Sequence, residues 1–129
     1  MTFNDLLKIN IPYQSLILEQ ASIKDGEVIL CFSSEGSFEG KQLRIRFTDY
    51  TTATMHNESY FTYSEKDGEF EGHVFKRSDS TSYLDYVRAN TTSEMMTNLK
   101  LRHYRFCSQN EFFDVLAGEA PLVEYGDFS

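Results

Sequence analysis

A chain of 129 residues and 15.0 kDa has the ordinary size of one domain, long enough to bury a single core. Apolar residues make up 40% of it and aromatics 15%, with eleven Phe, eight Tyr and no Trp, which excludes a disordered chain. Twenty acidic against twelve basic residues give a net charge of −8, which opposes nucleic acid and anionic membranes and favours a cationic partner. The longest apolar run, Val28 to Phe32, is too short to cross a bilayer, and Met1 to Lys8 lacks the apolar stretch of a signal peptide, so the expected location is the cytoplasm. Two cysteines far apart in sequence, Cys31 and Cys107, read as free thiols rather than a disulfide.

In chain order, Thr2 to Lys8 can form a short helix with Thr2 as cap and Phe3, Leu6 and Leu7 on one side, stopped by Pro12. Ser15–Ser22 and Glu27–Ser33 flank Lys24-Asp25-Gly26 and predict a β-hairpin. Neither face of the second arm is polar, which predicts a strand covered on both sides, with helices on one of them. Leu43, Ile45 and Phe47 alternate with Arg44, Arg46 and Thr48, a strand with one buried and one wet face. Asp49 to Glu58 suits an extended chain, and Tyr60–Tyr63 with Phe70–Phe75 around Lys66-Asp67-Gly68 predicts a second hairpin.

Cap residues Ser78-Asp79-Ser80, followed by Tyr83, Leu84, Val87 and Arg88 at helical spacing, predict a helix over about 81–89, with Met95, Met96 and Leu99 lining a second short turn or helix. Leu101–Cys107 and Phe112–Ala117 straddle Ser108-Gln109-Asn110-Glu111 as a third hairpin. A four-residue loop sets Cys107 opposite Phe112, Phe106 opposite Phe113 and Arg105 opposite Asp114. Gly118 and Pro121 then end the sheet, leaving an acidic tail from about 119 with Val123, Tyr125 and Phe128 as anchors. The expected fold is α+β: one domain, a mainly antiparallel sheet of about six or seven strands, and one to three short helices.

Chemistry is sparse. His56 and Glu58 share one face of an extended strand, but that spacing alone is weak. His103 and Cys107 also share a strand face, yet about 13 Å of extended chain separates them, too far to ligate one metal. The three histidines, His73 included, therefore read as ordinary surface or satisfied side chains, and Asp114 as the cross-strand partner of Arg105. No glycine-rich phosphate loop, nucleophile elbow or Cys-x-x-Cys pair is present, and no cofactor or metal is expected. Arg44 and Arg46 lie on the face opposite Leu43, Ile45 and Phe47, which argues against a base-stacking platform.

The run Gly40-Lys41-Gln42-Leu43-Arg44-Ile45-Arg46-Phe47, a later helix near Tyr83-Leu84, then Leu101 to Phe106 and Phe113 to Ala117 before Pro121, resembles small bacterial domains found beside polymorphic toxins, commonly immunity proteins. The resemblance spans about the last two-thirds of the chain, rests on strand patterning and carries no catalytic residues. It implies a non-enzymatic cytoplasmic protein that neutralises a toxin by covering its active site or a nearby surface, and a basic nuclease toxin would suit the acidic charge. Glu119, Glu124, Tyr125 and Asp127 are then the candidate binding residues, with acids for encounter and an aromatic for affinity. Two other readings stand beside it: a homodimeric structural or assembly module joined through an exposed strand, and a small hydrolase using His56, Glu58 or His103.

Overall fold

The structure, a computed structural model, describes residues 1–57, 69–90 and 100–127. Asp25 and Gly26 both take positive φ, 55° and 79°, the backbone a two-residue hairpin turn requires. They join β1 (Leu16–Lys24) to β2 (Glu27–Ser34), and β3 (Gln42–Phe47) pairs with β2 on its other side. The chain then leaves this sheet. β4 (Thr52–Asn57), β5 (Glu71–Gly72), β6 (Phe75–Ser78), β7 (Arg102–Cys107) and β8 (Glu111–Ala117) build a second sheet in the order β4-β8-β7-β6-β5. Finally β9 (Leu122–Gly126) returns to the first, which runs β1-β2-β3-β9. Every strand pair is antiparallel.

The expected single sheet is thus two, with nine strands among the described residues rather than six or seven. Val28, Leu30 and Phe32 of β2, with Leu43, Ile45 and Phe47 of β3, share one buried cluster with Phe75, Tyr104, Phe106 and Val115 of the second sheet. The sheets therefore pack face to face. Phe32 meets Phe75 edge-on at 5.6 Å and stacks on Phe106 at 5.8 Å, while Phe47 meets Tyr104 at 5.2 Å, arrangements that aromatic quadrupoles favour.

Helix α1 (Phe3–Leu7) is anchored by the Asp5 carboxylate, which accepts the Thr2 amide at 2.8 Å, and it buries Phe3 and Leu6 against β5 and β6. Helix α2 (Ser82–Asn90) buries Leu84 and Val87 with Leu101 and Leu116 on the outer face of the second sheet. Its cap is Thr81, whose hydroxyl accepts the Leu84 amide at 3.1 Å, a residue beyond the expected Ser78-Asp79-Ser80. Neither helix covers β2 as expected. On its outer face Cys31, only 2% exposed, lies between Arg44 of β3 and Gln20 of β1, and Ile29 lies between Arg46 and Ser22, so its cross-strand neighbours rather than a helix flank that face.

Phe70–Phe75 does not run as one strand: β5 ends at Gly72, the chain turns through His73 and Val74, and β6 folds back on it. The hairpin partner Tyr60–Tyr63, the turn Lys66-Asp67-Gly68, the segment holding Met95, Met96 and Leu99, and the anchor Phe128 lie outside the described residues. The acidic tail is corrected too. Residues 122–126 form a strand paired with β3, Arg46 facing Leu122, Arg44 facing Glu124 and Leu43 facing Tyr125, and Val123 is buried. Gly118 to Pro121 is a crossover between sheets rather than their end. Cys31 and Cys107 are free thiols, and among the described residues no helix is long and apolar enough to cross a membrane.

Candidate functional site: a buried carboxylate between two histidines

Asp114 interrupts the apolar run of β8, and alternation points it to the outer face of the second sheet. The third hairpin has the register expected from its loop length, so Arg105 stands directly opposite and its Nε donates to Asp114 Oδ1 at 2.7 Å. Strand order brings the rest. His103, two residues before Arg105 on the same face, places Nε2 2.6 Å from Oδ1, and β4 on the far side of β8 brings His56 Nε2 to 3.2 Å from Oδ2. His56 and His103, read from the sequence as separate ordinary side chains, converge on one carboxylate. Glu58 lies outside the described residues, and His73 is exposed on the β5–β6 turn.

The cluster is buried except at its rim. Side chains of His103, Arg105 and Asp114 are 1%, 5% and 3% exposed, whereas His56 is 33% exposed. Burial works against the Asp114 anion, but the His103 hydrogen bond and the Arg105 guanidinium outweigh it and hold its pKa below the ordinary aspartate value of 3.8. Phe70 and Tyr83 meet the His103 ring edge-on at 5.0 and 5.5 Å, and the Arg105 guanidinium lies 4.8 Å from the Phe70 centroid.

On its other side His103 Nδ1 lies 3.0 Å from the Thr81 hydroxyl. That hydroxyl already accepts the Leu84 amide, so with a neutral ring its proton goes to Nδ1 and Nε2 carries the proton donated to Asp114. Carboxylate, imidazole and hydroxyl stand in the order of a nucleophile-activating relay. Yet Thr81 is 3% exposed and its hydroxyl caps a helix, a structural role. What the relay does is fasten α2 to the sheet, with Tyr83 adding a hydroxyl hydrogen bond to Thr52 at 2.7 Å. Changing Thr81 to Val is expected to lower stability by about 1–2 kcal/mol, the loss of a cap plus an orphaned His103 nitrogen, measured by urea denaturation. An unchanged midpoint would show that the relay does not hold the helix.

No family model, curated protein or solved structure was found to match this chain. Function is therefore read from its own residues. Among the described residues no three His, Cys, Asp or Glu side chains are grouped to hold a metal.

The residues expected to bind a partner sit elsewhere. Glu119 is exposed on the β8–β9 crossover, and Asp127 is exposed just past the other end of β9. Between them Glu124 accepts from Arg44 at 2.9 Å, and Tyr125, 42% exposed, rests its ring 5.9 Å from Phe38. The two acids at the ends do not meet, but all four residues belong to one strand and its flanks. The histidine convergence left no mark in sequence spacing, because β4 and β8 are more than fifty residues apart and only their pairing joins them.

Proposed function

We propose that this chain is a non-enzymatic binding protein of immunity type, acting in the cytoplasm and docking a basic toxin on the open edge of β9. The observation that carries the reading is the character of that edge. Among the described residues β9 has a strand neighbour on one side only, and it holds two large apolar side chains half in solvent, Leu122 at 50% and Tyr125 at 42%. Glu124 lies on β9, and Glu119 and Asp127 are exposed on its two flanks. A few apolar anchors inside a charged rim are the elements of a protein-binding surface, with the charge speeding encounter. Arg44 is paired to Glu124 at 2.9 Å and Arg46 faces Glu27 at 3.7 Å, which weighs against a nucleic-acid surface.

The homodimer reading keeps one observation of its own: β1, also an edge strand among the described residues, runs nine residues with Ile17 and Ile23 41% and 51% exposed. The test is capture of a partner from native lysate, its purification, and calorimetric titration against wild type, Tyr125→Ala and Leu122→Asp. One basic protein whose binding weakens with salt, and weakens about a hundredfold in Tyr125→Ala, supports the reading. Sedimentation as a dimer with no other partner recovered, or a partner indifferent to both variants, overturns it.

A further inference from the structure

Each sheet ends, among the described residues, in an edge strand on the same side of the sandwich. β3 passes to β4 through residues 48–51 and β8 passes to β9 through residues 118–121, four residues in each link. Such links reach about 15 Å, too little to pass round the molecule. The pairs β3–β9 and β8–β4 therefore lie across from one another, which sets the edge β9 over the edge β4. Near the links this side is shut: Val123 of β9 is buried in the core cluster and Ala53 of β4 packs against the same cluster.

Two residues further along each strand, alternation returns the same faces, with Tyr125 on β9 and Met55 on β4. There the side is open. Tyr125 is 42% exposed and Met55 57%, while their cross-strand neighbours one strand inward, Leu43 and Phe113, are buried. The opening thus has an apolar floor and two apolar lips, one from each sheet. Methionine suits such a lip, because its unbranched thioether adapts to the shape of an incoming side chain.

The charge around the opening has one sign. The two edges and the two links carry Asp49, Glu119 and Glu124 and no Lys or Arg. Asp49 and Glu119 are exposed at the link end, while Glu124 stands on the other face of β9 with Arg44. An apolar group with cations beside it is complementary to this frame.

We infer that Met55 is a second anchor of the docking surface, and that the partner inserts one apolar side chain, flanked by Lys or Arg, between the β9 and β4 edges. This rests on the reading of β9 as the docking edge and extends that surface onto the second sheet.

The experiment is an NMR titration of the protein, labelled with ¹⁵N and with ¹³C in its methionine methyls, using three probes: acetyl-Arg-Phe-Arg-amide, acetyl-Arg-Gly-Arg-amide and acetyl-Glu-Phe-Glu-amide. Saturable shifts are expected at the Met55 methyl and the Tyr125 amide, with the first peptide bound about tenfold more tightly than either control, since it alone supplies both the apolar side chain and the cations. Followed at the Tyr125 amide, Met55→Ala should weaken that peptide about fivefold and Met55→Leu should leave it unchanged, in proteins whose spectra keep their dispersion. No saturable shift, equal affinity for the three peptides, or an affinity untouched by Met55→Ala would overturn the inference. The β9 reading fails separately, on a captured partner indifferent to Tyr125→Ala. A captured partner weakened by Tyr125→Ala yet indifferent to Met55→Ala leaves that reading standing and overturns this inference alone.

Discussion

Replacing Gly72 by alanine is expected to destabilise the protein by about 3 kcal/mol or more and to lower its melting temperature by about 10 °C. Gly72 has φ +96°, outside the range of L side chains, and a β-carbon built on it would lie 2.1 Å from the Phe75 carbonyl oxygen and 2.9 Å from a Leu7 methyl. The Leu7 side chain can rotate away, but the Phe75 carbonyl is backbone. The turn must therefore open, and with it the β5–β6 pairing and the seat of α1. Gly36→Ala is the matched control: φ there is +76°, yet nothing lies within 4 Å of a β-carbon, so the expected cost is only about 1 kcal/mol. Thermal denaturation of the two variants side by side measures the difference. Equal melting temperatures would mean that the crowding at Gly72 relaxes without loss.

Asp114→Ala is expected to cost about 3–5 kcal/mol, because it removes the carboxylate that both a guanidinium 5% exposed and a fully buried imidazole contact. Removing both charges together, in Asp114→Leu with Arg105→Met, should recover the part of that loss due to Arg105, since a buried ion pair contributes little beyond what its well-packed apolar replacement does, while the share of His103 remains. A double variant no better than the single one would show the carboxylate doing more than neutralising Arg105.

The same group sets an acid limit. Folding lowers the Asp114 pKa, so its contribution is complete above the unfolded value near 3.8 and drains away as pH falls below that towards the folded pKa. The gap in unfolding free energy between wild type and Asp114→Asn should therefore close as the pH falls below about 3.8. A gap that stays constant into that acid range would contradict the depressed pKa.

Local rules carried the fold a long way. Asp25-Gly26 gave its hairpin, the Leu43-Ile45-Phe47 alternation gave a strand with the right face buried, and the loop of Ser108 to Glu111 gave the Arg105–Asp114 pairing residue for residue. These features depend on neighbours a few residues away. The failures are of another kind. Gly118 and Pro121 break a strand in either case, and nothing local tells a chain end from a crossover; the strand after them is defined by β3, some eighty residues earlier. The mixed pattern of β2 reads as a helix-covered strand, since sequence does not reveal that Cys31 sits between Gln20 and Arg44 of its two neighbouring strands. His56 is the plainest case. Its meeting with Asp114 follows from β4 lying against β8, a pairing with no signal in the spacing of either segment. The Tyr125 and Glu124 surface was legible as composition but not as a strand edge.

The closing of β9 onto β3 bears on how the protein is made. Residues 16–47 hold three strands of the first sheet in local succession, but the free side of β3 is claimed only by residues 122–126. During synthesis an amide-bearing edge with Leu43, Ile45 and Phe47 beside it stays uncapped while some seventy-five further residues are added, and the second sheet that buries those side chains is also unfinished. Pairings so distant are slow to form, and the exposed interval is when a nascent chain is most prone to join another. The pairing of β9 with β3 is thus the late step that closes this edge.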